Sequence, residues 1–314
     1  MFDVIAALIP VTCGAVYYFG IGALLVILAS IAGCVATELV LNREKANLGD
    51  GTVILTGLLL GLTLPPIFPM WMALLGGVVA IGLGRLIWGG LGQNMFNPAL
   101  VGRAFLQAAF PTAITTWRAP GDASSIFEIA KSNLAWPFMH GEVDVVTTAT
   151  PLAKMKFEHQ LVPFGDLMSG NIAGSLGETF GILLLVGGLY LFLRRAFDWR
   201  IPVSILLTVG VFVAILHGID AAKYPTPQFM IASGGLLLGA VFMATDPVTS
   251  PMSPLGVWIF GIGIGVLVVL IRLWGGLPEG VMYSILLMNA ATPLIDRIAQ
   301  PTPFGRKFGG KVAK

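Results

Sequence analysis

The sequence predicts an all-α polytopic membrane protein: about ten transmembrane helices in two inverted five-helix repeats, with both termini cytoplasmic. Three observations carry that prediction. Charged residues make up only 11% of the 314 positions, against roughly 25% in soluble domains. The charges leave two blank runs, residues 4–37 and 51–84, each 34 residues long. Several motifs also recur in the same order in both halves. With 56% hydrophobic residues and a mean hydropathy of +0.88, a soluble enzyme and a disordered chain are both excluded. The net charge of +2, without a basic patch, gives no support for nucleic-acid binding.

Each blank run exceeds one span of roughly 20 residues and holds two joined by a turn. The turns are Tyr17-Tyr18-Phe19-Gly20 and Pro65-Pro66-Ile67-Phe68-Pro69. Aromatic residues suit the headgroup level, and paired prolines cannot continue a helix. Reading every charge-poor run in this way places spans at 2–18, 20–41, 52–65, 69–88 and 97–115, then 178–195, 201–217, 228–245, 255–273 and 279–297. Cys13 and Cys34, one in each of the first two helices, read as apolar packing; two cysteines cannot build a disulfide framework or a four-cysteine cluster. Asp3 precedes the first apolar run with no basic stretch before it, so no cleavable signal is expected.

Residues 116–177 differ in kind, with ten charges and two of the three histidines. They form a loop too long for a simple connection. The chain thus divides into a first membrane repeat (1–115), this loop (116–177), a second membrane repeat (178–297) and a basic tail (298–314). Ten spans put both termini on one side. Twelve basic residues fall there and six opposite, four of the six in the long loop. The excess of Lys and Arg marks the cytoplasm, so the loop is extracytoplasmic.

The repeat rests on two motif pairs and a break. Gly57-Leu58-Leu59-Leu60-Gly61 recurs as Gly235-Leu236-Leu237-Leu238-Gly239, and Arg85-Leu86-Ile87-Trp88-Gly89-Gly90-Leu91 as Arg272-Leu273-Trp274-Gly275-Gly276-Leu277. Between them stand Leu64-Pro65-Pro66 and Asp246-Pro247-Val248-Thr249-Ser250-Pro251. Five helices per half is an odd number, so the halves must be inverted, and such repeats place sites at broken helices near their interface. The GxxxG pairs read as close helix packing.

Within the loop, Asp144-Val145-Val146-Thr147-Thr148-Ala149-Thr150-Pro151 is a hydroxyl-rich strip with one carboxylate. Taken alone it reads as a solvated loop, since a threonine hydroxyl is a poor nucleophile. The strip resembles the flavinylation motif of the RnfD family, the D subunits of the Rnf ion-translocating ferredoxin:NAD+ oxidoreductase, a motif shared with the B subunits of the sodium-translocating NADH:quinone reductase. Gly92-Gln93-Asn94-Met95-Phe96-Asn97-Pro98-Ala99, Gly174-Ser175-Leu176-Gly177-Glu178-Thr179, Thr245-Asp246-Pro247-Val248-Thr249-Ser250-Pro251 and Pro278-Glu279-Gly280-Val281-Met282-Tyr283 are similar to further motifs of that family, as are Asp50-Gly51, Leu55-Thr56-Gly57 and Leu64-Pro65-Pro66. Thr147 and Thr148 stand where Ser and Gly are common, and the chain starts directly on the first helix, without the leader seen in many members. The resemblance implies FMN esterified through its phosphate to Thr150 by a separate flavin transferase, with Asp144, Thr147 and Thr148 completing the motif. It also allows a second, noncovalent flavin, riboflavin.

Other polar residues have two readings each. Ser175, Gly177 and Glu178 either contact the FMN or form a helix start, Ser175 capping and Glu178 completing a capping box. Asn94 and Asn97, three residues apart and on one helix face, either cap the fifth span or bind the second flavin. Arg103, the most buried basic residue by this map of spans, either faces that flavin, a phosphate or a carboxylate, or snorkels. Asp246 and Glu279, at breaks on opposite faces, are candidates for ion coupling or plain turn and interface residues. Glu38, one turn from Arg43, ranks below them. His140, His159 and His217 have no ligand spacing, so no metal is expected.

The resulting expectation is a membrane electron-transfer subunit of an ion-translocating (Na+ or H+) oxidoreductase in a bacterial inner membrane. NADH and ferredoxin would react on partner subunits, because this chain lacks a nucleotide fingerprint and cluster cysteines. The partners implied are iron–sulfur subunits, a second outer-facing flavoprotein and the flavin transferase. The alternative is an inverted-repeat channel or solute transporter without redox activity.

Overall fold

The computed structural model describes residues 1–43, 48–121, 127, 129–137, 148–158, 160–221 and 223–300; Asp144 and Thr147 lie outside them. Among the described residues there are helices and no strand. The first half contributes α1 (Phe2–Phe19), α2 (Ile21–Leu41), α3 (Thr52–Leu62), α4 (Met70–Gly82) and α5 (Pro98–Ala109). The second contributes α6 (Gly181–Leu193), α7 (Arg200–Ile219), α8 (Pro227–Ala232), α9 (Pro254–Trp274) and α10 (Val281–Ile298). Five segments are long and apolar enough to cross a membrane: Phe2–Phe19, Ile21–Leu41, Met70–Trp88, Arg200–Ile219 and Pro254–Trp274. With the shorter apolar helices α3 and α6, they make a multi-pass membrane protein.

The packing is dominated by α2 against α4 and α3 in the first half, and by α7 against α9 in the second, while α1 meets α6 across the halves. Gly57 and Gly61 lie on the α2 face of α3, where added Cβ atoms would stand 2.5 and 2.8 Å from the Ile31 and Ile27 Cα atoms. Only glycine permits that approach, as a small-xxx-small seam requires. Cys34 is buried and its thiol donates to the Gly77 carbonyl at 3.5 Å, whereas Cys13 is exposed on the outside of α1. Packing therefore accounts for one cysteine and not the other.

One expected span is broken. Instead of a continuous helix over 228–245, α8 stops at Ala232, Ser233-Gly234-Gly235 interrupts it, and a turn at Leu236–Leu238 runs into a π-helical turn, Gly239–Met243. Gly234 has φ +65, the left-handed region that favours glycine. The sixth helix also starts later than expected, at Gly181. The stretch before it folds back beside α3, with the Leu176 N–H donating to Leu64 O (3.1 Å) and the Gly177 N–H to Leu62 O (2.6 Å). These bonds satisfy carbonyls at the end of α3 that the helix leaves unpaired. Loop residue Asn133 closes the same break, donating to Pro66 O and Phe68 O at 3.0 Å each.

Candidate functional site

Thr150 is buried and caps the turn Pro151–Ala153, its hydroxyl oxygen accepting the Ala153 N–H at 3.2 Å. Beside it is a cavity of about 260 Å³ lined by Thr148, Ala149, Pro151, Lys154 and Asn171, among others. The Thr148 hydroxyl is buried without a hydrogen-bond partner. Lys154 and Thr148, whose hydroxyl is orphaned, line this pocket, and Thr150 lies in the chain between its lining residues Ala149 and Pro151; the donor set suits a phosphoester. Pro151 starts a helical turn that continues as the π-helical turn Lys154–Glu158. From this second turn, Lys156 reaches the hairpin between α9 and α10, donating to Gly275 O and Leu277 O. Burial draws the Lys156 ammonium below the usual lysine range.

Behind that turn lies a cluster of four charges from both halves. Arg103 on α5 pairs with Glu279 at 2.5 Å. Glu178 faces Glu279, and Arg272 acts on both carboxylates. The break after α8 explains why charges sit here. Arg272, fully buried, donates to Met230 O (2.6 Å) and Ser233 O (2.9 Å), capping carbonyls left free where α8 stops. On the other side of the break Glu279 stands close to the chain, its Oε1 3.5 Å from where a Cβ on Gly234 would lie. Each charge meets the helix end of opposite partial charge.

A second cavity, about 360 Å³, lies at the other end of the helices. It is lined by Thr52, Thr56, Arg85, Asn94, Asn97, Thr245 and Asp246, with Leu55, Leu59, Val241 and Phe242 as apolar walls. Its volume is in the range of small-molecule sites. Asn97 caps α5, accepting from Ala99 N (3.0 Å), and donates to Met243 O at 3.0 Å across the halves. Asn94 donates to Phe96 O at 3.2 Å. Arg85 is buried, donates to the Thr52 hydroxyl at 3.0 Å and lies 3.9 Å from Glu38. Asp246 accepts from Val248 N at 3.2 Å, and burial pushes its carboxyl up from the usual range.

The structure regroups the residues singled out in the sequence. Asn94 and Asn97 share a cavity as expected, but Arg103 does not join them; it belongs with Glu279 and Glu178. Asp246 lines the cavity of the two asparagines, apart from Glu279. Ser175 and Glu178 are not a helix start: the helix begins at Gly181 after Phe180, and Glu178 is buried against the α8 break, where a Cβ on Gly235 would meet its Oε1 at 3.3 Å. The Gly177 N–H serves Leu62, so it is not free for a flavin phosphate. Glu38 is fully buried and pairs with Arg85. Sequence reasoning did not single out Arg85 and Arg272 as site residues. Their signal was present, since they are the matching arginines of the internal repeat. Among the described residues no cluster of His, Cys, Asp or Glu could hold a metal.

Comparison with known proteins shows the family. Residues 1–305 match the model of the NQR2, RnfD, RnfE family. The chain is 43% identical to the D subunit of the ion-translocating oxidoreductase complex of Stutzerimonas stutzeri, over 99% of this chain and 93% of the relative. It is 43% identical to the D subunit of the proton-translocating ferredoxin:NAD(+) oxidoreductase complex of Clostridium ljungdahlii, over 98% and 91%. With the D subunit of the Na(+)-translocating ferredoxin:NAD(+) oxidoreductase complex of Acetobacterium woodii it shares 41% identity, over 97% and 90%. At this identity and coverage the chain belongs to the NQR2, RnfD, RnfE family.

Proposed function

We propose that this protein is the D subunit of an ion-translocating ferredoxin:NAD+ oxidoreductase complex and carries FMN on Thr150 through a phosphoester. The observation that carries the cofactor reading is the pocket flanking Thr150, lined by its chain neighbours Ala149 and Pro151 together with Lys154 and Thr148, whose hydroxyl has no partner. When bound, the flavin supplies redox chemistry that exchanges one or two electrons. The chain contributes the attachment point, a basic neighbour for the phosphate, and a site away from bulk solution. The cavity lined by Asn94, Asn97, Arg85 and Asp246 is the proposed seat of a second, noncovalent flavin, riboflavin. Relatives named for protons and for sodium are similarly close, so the reading covers either ion, with Asp246 and Glu279 as candidate coupling groups.

The proposed architecture is ten spans in two inverted halves (1–115 and 178–297), the loop 116–177 outside and the tail 298–314 inside, in a bacterial inner membrane. Support comes from matched packing, α2 with α4 and α7 with α9. It comes also from the matched arginines, each tied to the third helix of its half: Arg85 to Thr52 on α3, and Arg272 to Met230 on α8. Iron–sulfur subunits, an outer-facing flavoprotein and the flavin transferase are the proposed partners. The test is coexpression with the transferase and a denaturing gel viewed under ultraviolet light. A fluorescent band that is kept in Thr150→Ser and lost in Thr150→Val is expected; a dark wild-type band overturns the cofactor reading.

A further inference from the structure

The acceptor turn is fastened at two points, one at Gly234 beside Arg272 and Glu279 and one on the hairpin that joins those two residues. Leu152, fully buried, is seated where Gly234 leaves room: a Cβ on Gly234 would meet Leu152 Cδ1, and would lie 3.0 Å from Arg272 Nη2 and 3.5 Å from Glu279 Oε1. Lys156 makes the second attachment. Its Nζ donates to Gly275 O (2.5 Å) and Leu277 O (2.9 Å), in the hairpin that separates Arg272 from Glu279. An exposed lysine ordinarily keeps its ammonium in water. Lys156 instead commits two of its three donors to backbone carbonyls. Gly275 is the C-terminal cap of α9, a helix of 21 residues, and the partial negative charge of that end attracts a cation. Met155, between the two attachments, is buried in the core.

We propose that Lys156 is a positioning residue, a latch that holds the acceptor turn 150–158 on the α9–α10 hairpin and fixes where the group on Thr150 stands relative to the buried charges. Leu152 supplies apolar seating without direction. The forked contact of Lys156 sets the register of the turn, because one ammonium bridging two carbonyls of a hairpin admits few geometries. The consequence for the attached flavin rests on Thr150 being the acceptor; the latch itself does not.

Two arms keep the two readings apart. In the first, the full chain is made without flavin transferase, and amide hydrogen exchange is followed in wild type, Lys156→Met and Lys156→Arg. The expected result for Lys156→Met is exchange about tenfold faster in 150–158 and 275–280, unchanged protection in α2, and near wild-type protection in Lys156→Arg. In the second arm, with transferase present, Lys156→Met keeps its covalent flavin fluorescence but shows lower flavin anisotropy, which Lys156→Arg restores. Wild-type exchange in Lys156→Met, or loss of protection in α2 along with the turn, overturns the latch. A dark wild-type band overturns the acceptor reading and leaves the exchange arm in force.

Discussion

Arg103 and Glu279, separated by 176 positions in the chain, meet at 2.5 Å between α5 of the first half and the start of α10 in the second. The pair joins the halves where one carries a break. Glu279 stands beside Gly234 at that break, and Arg272 caps the carbonyls of Met230 and Ser233 there. An interrupted helix inside a membrane protein is tolerated when its freed backbone groups find partners in the protein. Here the partners are charged, and their charges are balanced by one another.

Removing Arg103 should therefore cost more than a surface ion pair. In Arg103→Met, Glu279 and Glu178 are left with Arg272 as the remaining cation of the four-charge cluster. A loss of about 3–5 kcal/mol is expected, as for other broken buried pairs. The double variant Arg103→Met with Glu279→Gln should recover much of it. Thermal unfolding of the four members of the cycle measures this; additive losses would show that the pair is not coupled.

Arg272→Met tests the cap on the broken helix. Met230 O and Ser233 O lose charge-assisted bonds of about 1.5–3 kcal/mol each. Amides of 233–239 should exchange faster while those of α2 do not. Arg272→Lys should rescue in part, since a lysine ammonium lacks the planar fork that reaches two carbonyls.

The contrast between helices and sites shows what a linear pattern can carry. Membrane spans are legible because a charge-free run must be buried in lipid or protein, and five of the expected spans contain helices long and apolar enough to cross, among the described residues. Arg85 and Arg272 were visible as repeat partners, but their hydrogen bonds were not, because periodicity records a face of one element and not which element covers it. Arg103 was legible as a buried basic residue that could meet a flavin, a phosphate or a carboxylate, but the sequence did not say which; the fold brings it to Glu279. Glu178 followed Ser175 at the capping-box spacing, yet the stretch paired with the end of α3 and delayed the helix to Gly181. The break after Ala232 had its signal in Ser233-Gly234-Gly235, masked by the apolar run around it.

The α2–α3 seam predicts unequal effects for two Gly→Ala changes. Gly57→Ala places a methyl group 2.5 Å from the Ile31 Cα, backbone that cannot move aside cheaply. A loss of about 1–3 kcal/mol is expected. Gly218→Ala, in α7 with nothing within 4 Å of the new Cβ, should be neutral or stabilise by up to ~1 kcal/mol through helix propensity. Melting temperatures of the two variants in the same detergent compare them directly.

Asn97 separates capping from ligand binding at the inner cavity. Its Oδ1 accepts Ala99 N and its Nδ2 donates to Met243 O, so Asn97→Ala removes a helix cap and a bond between the halves. About 1 kcal/mol is expected for the cap and about as much for the bond. Asn97→Asp keeps an oxygen for the cap but has no amide donor for Met243 O. If Asn97 serves only the fold, Asn97→Asp should keep the cap but lose the Met243 bond, melting below wild type while retaining every flavin. If it also helps to hold the proposed noncovalent flavin, both variants should release flavin on gel filtration, whatever their melting temperatures. Acid-extracted flavin per chain, measured beside the covalent band on a denaturing gel, distinguishes these outcomes. Full retention in Asn97→Ala would remove Asn97 from the flavin site and leave it as a cap.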